Sequence, residues 1–423
     1  MKRIIVDFEK IGENGVSIGR FNGKIVFSYG IIPGERAKII ITKEKNNFIE
    51  GELEEVIISS PYRINPKESH YLSCSPWQTF DYKLQIELKK NLLKEIFFKF
   101  SKYEIDINHF YPASQIFEYR TKIEYSFLEE KNKYFFAFYK RGSFNKKIKL
   151  KEGCLLIDRE VNNIALDILD QINKKKIKNL KSLIIRKTRR TKDCHFALLT
   201  TNKNQSFIYK NDKISGFALI FSNPQTSISS FDEVINFYGR EYLKETILNL
   251  EINYPYNSFF QNNIELFEEA LRVMIKDSEF FSKIVDLYSG VGVIGLSLKD
   301  KSKKILAIDI DNQAIFYAKL NAKLNKVKNF QAICLASEKI PLEILENTDL
   351  LILDPPRPGL HPKLIDLIIK TKPYNIFYLS CNPITQARDF NLLKDNYRLK
   401  EIYAFDFYPN TPHLECLIFL RLK

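Results

Sequence analysis

From about residue 250 the chain changes texture, and that change limits its fold more than any other feature. Aliphatic, β-branched segments (KIVDLYSG, KKILAIDID, DLLILDPPRPG and NIFYLSCNP) alternate with segments of helical spacing (NNIELFEEALRVMIKDS, QAIFYAKLNAKLN and LIDLIIKT). Strands and helices in alternation, joined by short links, specify a parallel α/β sheet. In such sheets a ligand sits beyond the carboxyl ends of the strands. The unusual residues of this region fall at those ends: Tyr288-Ser289-Gly290, Asp309, Asp354-Pro355-Pro356-Arg357 and Cys381-Asn382-Pro383.

Upstream the pattern differs. Residues 1–60 hold IIVDFEKIG, KIVFSYG, AKIIITK and FIEGELEEVII, separated by the turn-rich GENGVSIGRFNG and by PGER. Four or five short strands of this kind suit a small barrel of the oligonucleotide-binding type. SPYRINPKES reads as a linker, and WQTFDYKLQIELKKNLLKEIFFKF as a helix. From about 115 to 250 strands dominate (TKIEYSF, YFFAFY, SLIIRK, HFALLTT), interrupted by the helical REVNNIALDILDQIN. We therefore expect three domains: a barrel over 1–60, a mainly β (α+β) central domain over 61–250, and a Rossmann-like α/β domain over 251–423.

Net charge is +14, from 65 Lys and Arg against 51 Asp and Glu. Such a balance favours polyanion partners, because cations near phosphates release condensed counterions. Lys is frequent throughout the chain, so charge alone leaves compositional bias as an equal reading. There is no apolar run of about 18 residues to span a membrane. The opening MKRIIVDFEKIGE alternates apolar and charged residues and lacks the apolar core of a secretory signal. A cytoplasmic, monomeric protein is expected.

Gly290-Val291-Gly292-Val293-Ile294-Gly295 matches G-x-G-x-x-G between a strand and a helix, and Asp309 ends the next strand. Glycines admit a ligand close to the backbone, and the acidic residue holds ribose hydroxyls. Both roles serve any adenosine-type ligand, so NAD is only one candidate. The two prolines after Asp354 make a stiff turn that aims its carboxylate into the cleft. Six cysteines occur, at 74, 154, 194, 334, 381 and 416, with no C-x-x-C pair and no His at zinc-ligand spacing to one. Buried free cysteine is the ordinary reading for each. Cys381 stands apart because a rigid Asn-Pro follows it at a strand end. In PNTPHLEC, His413 and Glu415 precede the final strand, where alternation puts both on one face as a candidate acid or base.

Taken together, these motifs resemble the RNA uracil-5-methyltransferases, the family of the bacterial tRNA and 23S ribosomal RNA enzymes. IPGER looks like the loop of the TRAM barrel, and WQTFDYKLQIELK, YRTKIEYSF, NSFFQNN, DLYSGVGVIGL, LDPPRPGL, SCNPITQARD and TPHLE recur in family order. The resemblance implies S-adenosylmethionine as methyl donor, contacted by Gln261, Tyr288, Gly290, Asp309 and Asp354. It implies Cys381 as the nucleophile and Glu415 as the base. Carbon 5 of uracil is a poor nucleophile until a thiolate adds at carbon 6, and those residues meet that need.

Charge alone marks Arg186, Arg189 and Arg190 for RNA phosphates. Ribosomal members often carry an iron–sulfur cluster on four cysteines. Here the corresponding stretch is YLSCSPWQ, with Cys74 out of register by one and Cys154 lacking partners, so neither a cluster nor a metal site is expected. Ser289 stands where many members have Cys, and Asp309 where Glu is commoner. The N-terminal barrel leans the target toward ribosomal RNA, with tRNA the alternative. An NAD-dependent oxidoreductase, a base-amino methyltransferase and a catalytically inactive RNA-binding protein are the rival readings.

Overall fold

The computed structural model describes residues 2–143, 145–226 and 229–423. Arg3–Ile11, Ser17–Phe21, Lys24–Ser28, Arg36–Glu44 and Phe48–Ile58 close into a five-stranded barrel. Alternate residues point inward, so Ile4, Val6, Phe8, Val26, Ala37, Ile39 and Ile49 fill its interior. The PGER turn contributes more than a loop. Glu35 is fully buried and receives Arg63 through Nε and Nη2, each at 2.6 Å, and Ile32 N at 2.8 Å. That bidentate pair ties the barrel to the segment that follows it.

The next helix begins later than its hydrophobic spacing suggests. Asp81 accepts from Lys83 N at 2.9 Å and so caps Tyr82–Ser101, while Trp77 and Phe80 stack outside it at 5.4 Å. Tyr71–Cys74 forms a separate short helix. The central sheet runs in the order Glu233–Gly239, Gly216–Phe221, Cys194–Thr200, Leu180–Lys187, Lys122–Glu130, Lys133–Tyr139, Lys147–Lys149. Helix Arg159–Lys174 lays Val161, Ile164, Ala165, Ile168 and Ile172 into the same core as Tyr125, Phe136, Leu183 and Phe196 of that sheet.

The C-terminal sheet has eight strands: Phe330–Cys334, Ser302–Asp309, Phe281–Leu287, Leu350–Leu353, Asn375–Ser380, Glu415–Leu422, Tyr397–Phe405 and His109–Tyr111. The first five are mutually parallel, and Glu415–Leu422 runs antiparallel between Asn375–Ser380 and Tyr397–Phe405. The eighth strand comes from the middle of the chain. Helix Tyr82–Ser101 also joins this end of the molecule, where Leu93, Ile96 and Phe97 pack with Ala387, Phe390 and Leu393. The linear division at 61 and 251 is thus interrupted, because residues 82–111 supply a helix and a strand to the C-terminal unit. Buried Lys89 pairs there with buried Asp406, which also accepts from Tyr82 Oη at 2.8 Å. Among the described residues, no helix is long and apolar enough to cross a membrane.

Candidate active site

Strand Phe281–Leu287 is fully buried at its end and leads into a turn that few residues can make. Tyr288, Gly290 and Gly292 all take positive φ, at 61°, 52° and 86°. At Gly292 the conformation and the space both matter, since a Cβ would meet the Phe330 ring at 2.9 Å. Gly292 then caps the helix Val293–Ser297. Asp309 accepts from Gly290 N at 2.8 Å and from Asp311 N at 2.9 Å, so its carboxylate is fixed at the lip of the next strand. Behind the glycine turn, Asp286 is fully buried and accepts from Gly295 N at 2.9 Å, leaving Oδ1 without a partner among the described residues. Burial pushes its carboxyl up to about 8, against the hydrogen bond from Gly295.

The nucleophile side is built from two turns that hold each other. Strand Asn375–Ser380 ends one residue before Cys381, and Asn382 caps the helix Pro383–Leu393 with Pro383 in its first turn. Asn382 Nδ2 donates to Arg357 O at 2.8 Å, and Thr385 Oγ1 donates to the same carbonyl at 3.2 Å. The DPPR and SCNP turns are therefore one unit. Cys381 is half-buried. Burial pushes its thiol up to about 12, helped by the charge of Glu415 and opposed by the Arg357 guanidinium. Glu415 opens the last strand, 3% exposed, with Tyr408 Oη donating to Oε1 at 3.5 Å and Oε2 free of partners among the described residues. Burial first, and the charge of Asp354 next, hold its carboxyl well above the usual range. His413 lies in the loop before that strand, so loop conformation rather than strand alternation brings it beside Glu415. Burial lowers it to about 3, which keeps it neutral.

One cavity of about 880 Å³ receives both halves. Its walls include Gln261, Tyr288, Gly290, Asp309 and Asp354 together with Cys381, His413 and Glu415. Gln261 Nε2 donates to Asp354 Oδ2 at 3.3 Å, while the buried Oε1 of Gln261 has no partner among the described residues. Burial pushes Asp354 up to about 7. Tyr288 is held by a 2.8 Å hydrogen bond from Ser337 to its hydroxyl. The cavity thus joins an adenosine-type cradle to a thiol and a carboxyl.

Three cations at this cavity were given no role from the sequence: Arg120, Arg141 and Arg357. Arg120 and Arg357 stand inside the quoted motifs YRTKIEYSF and DPPR, which was the available signal. Arg186, Arg189 and Arg190 are engaged elsewhere. Arg186 is buried and donates to the carbonyls of Tyr256 and Ser258. Arg189 donates to Glu265 at 2.9 Å, Glu118 O at 2.7 Å and Gln115 at 2.9 Å, and Arg190 pairs with Glu268 at 3.1 Å. The expectation of phosphate contact is corrected for Arg186 and Arg189, whose donors are bound within the protein, while Arg190 keeps a half-exposed guanidinium beside its pair with Glu268. Cys154 is also corrected, since it lies with Cys74, His70 and Glu68.

A family model for tRNA (uracil-5-)-methyltransferases matches residues 229–423, and a TRAM-domain model matches residues 2–53. A Prochlorococcus marinus protein is 31% identical over 92% of this chain and 99% of its own length. A Clostridium tetani protein is 30% identical over 97% of this chain and 94% of its own. Both are named as uncharacterized RNA methyltransferases. The crystal structure of the Pyrococcus abyssi tRNA (uracil-54, C5)-methyltransferase with S-adenosyl-L-homocysteine shares the fold. Its TM-score is 0.76, with 24% identity over 99% of this chain and 100% of that one. The NAD-dependent reading of the glycine motif is thereby set aside. This chain belongs to the S-adenosylmethionine-dependent RNA uracil-5-methyltransferases.

Proposed function

We propose that the chain forms 5-methyluridine in 23S ribosomal RNA by way of a covalent adduct between Cys381 and carbon 6 of the target uracil. The observation that carries this reading is the single cavity shared by Cys381, Glu415 and the glycine cradle. S-adenosylmethionine, when bound, supplies an electrophilic methyl group. Gln261, Tyr288, Gly290, Asp309 and Asp354 are the residues that would hold it. The partnerless Oε1 of buried Gln261 and the open glycine turn fit such a ligand.

In the free protein the Cys381 thiol is neutral. Arg357 is the nearby charge that favours the thiolate, whose proton is released to solvent as the uracil enters. The sulfur adds to carbon 6, and the electron pair of the carbon 5–carbon 6 bond moves onto the ring as an enolate. Carbon 5 takes the methyl group. Glu415, ionised in the complex, then removes the carbon 5 proton. The carbon 6–sulfur bond breaks and Cys381 leaves as thiolate. A carboxyl whose proton affinity is raised by burial is a stronger base than an ordinary one, which suits that proton transfer. The target base must be unstacked and turned into the cleft.

The barrel supports an RNA target of this kind by its position. Gly15 packs on Pro412, Trp77 Nε1 donates to Gly15 O at 3.4 Å, and a second cavity of about 180 Å³ is lined by Glu13 and Asn14 of the barrel together with Cys381 and His413. RNA entering the cleft meets the barrel. A tRNA target is the second reading, favoured by the family description and by the substrate of the Pyrococcus protein. Quantifying 5-methyluridine in separated ribosomal and transfer RNA, from cells with and without the gene, distinguishes the two. Loss confined to tRNA overturns the ribosomal assignment, and a Cys381→Ala protein that restores the mark overturns the nucleophile.

A further inference from the structure

Glu68, His70, Cys74 and Cys154 are scattered in sequence but meet in space. One ligand atom from each lies within 4.8 Å of every other. Glu68 and His70 belong to the turn after the barrel, and Cys74 ends the helix Tyr71–Cys74. Cys154 comes from the loop before helix Arg159–Lys174. Three of the four are buried and Cys74 is half-buried. His70 Nε2 faces Glu68 Oε1 at 3.2 Å but is aligned for no hydrogen bond, although it is buried. The Glu68 carboxylate is positioned from outside the cluster. Its Oε1 accepts from Leu155 N at 2.6 Å and its Oε2 from Gln78 Nε2 at 3.0 Å. Such outer hydrogen bonds orient a ligand without using all of its lone pairs.

We propose that these four side chains form a mononuclear zinc site. Two thiolates, an imidazole and a carboxylate are the donors of a closed tetrahedral zinc centre. Zinc–sulfur bonds of about 2.3 Å and zinc–nitrogen bonds of about 2.0 Å place tetrahedral donors on the order of 3.5 Å apart. The present cluster, with its donors within 4.8 Å of one another, therefore needs a contraction of about 1.3 Å at most. Two thiolates exclude Mg²⁺ and Ca²⁺, which take oxygen ligands. The same donor set does not fit the iron–sulfur cluster of related enzymes, which takes four cysteines. The ion would staple the segment leading into helix Tyr82–Ser101 to the central sheet. Because Ser73 and Cys74 also line the main cavity, the staple would hold one wall of the cleft.

The test uses the full chain, purified with its tag removed and analysed for metals by mass spectrometry. We expect about one zinc per chain, falling at least tenfold in a Cys74→Ser/Cys154→Ser double variant. Since that variant can fail to fold, wild-type protein stripped with a chelator is also titrated with Co²⁺. Saturation at one equivalent, with thiolate charge-transfer and tetrahedral d–d bands, is the expected result. Iron with acid-labile sulfide, a Cys74–Cys154 disulfide in the native peptide map, or Co²⁺ binding without thiolate bands overturns the proposal.

Discussion

Asp286 gives the most exacting test of how dry the floor of the donor cradle is. The carboxyl is fully buried, and among the described residues one oxygen has the Gly295 amide as partner and the other has none. Its folded pKa is raised from 3.8 to about 8 by burial. A raised carboxyl contributes stability that is fully present below its unfolded pKa and is lost as pH rises through the folded one. Between these values the folded state holds a proton that the unfolded state has released. The stability of unfolding then falls by about 1.4 kcal/mol per pH unit. Asp286→Asn keeps the acceptor for Gly295 and removes the titration. From about pH 6 to about pH 7.5, wild type should lose about 2 kcal/mol more than the variant. Asp354 titrates in both proteins and cancels to first order. Urea unfolding followed by circular dichroism at the two pH values, read at the transition that melts the C-terminal sheet, measures the difference. Parallel pH dependence in the two proteins refutes the reasoning, because Asp286 would then be ionised in the folded state.

The other predictions concern the cleft and the corrected arginines. Glu415→Gln preserves the Tyr408 contact and removes the base, so turnover should fall about a hundred- to ten-thousand-fold while the RNA adduct accumulates; turnover near wild type argues for another base. Asp309→Ala frees the Gly290 and Asp311 amides. By calorimetry its dissociation constant for S-adenosylmethionine should rise about ten- to a hundredfold, the equivalent of losing a charged hydrogen bond; an unchanged constant removes Asp309 from the donor site. Arg189→Ala should cost about 1–3 kcal/mol of stability, since Glu265, Glu118 and Gln115 lose their partner. Its RNA affinity should keep the wild-type salt dependence, and a slope reduced by about 0.9 would restore a phosphate contact.

The C-terminal sheet was readable because each of its parallel strands carries its own local pattern and ends on an unusual residue. Gly290, Asp309, Asp354 and Cys381 all stand where strands end, so one rule about α/β sheets brings them together from sequence alone. What escaped is what depends on distant partners. Nothing local in His109–Tyr111 says that it pairs with Tyr403–Phe405. Lys89 reads as one more surface lysine until Asp406 is found beside it. The charge of Arg186 was visible and its fate was not, because the carbonyls of Tyr256 and Ser258 that accept its hydrogen bonds lie some seventy residues away. Cys74 and Cys154 looked solitary for the same reason. Arg357 was different: it was in view within DPPR, but only the meeting of that turn with SCNP gives it a role.

The claim on which the account rests is that Cys381 bonds covalently to the target base. A target RNA bearing 5-fluorouracil cannot lose a proton from carbon 5, so the reaction should stop at the methylated adduct. Incubated with the protein and S-adenosylmethionine, it should yield a complex that survives denaturation. Mass spectrometry should place the nucleotide on the peptide containing Ser380-Cys381-Asn382, and Cys381→Ala should form none. A denaturation-sensitive complex, or an adduct on any other residue, contradicts the account.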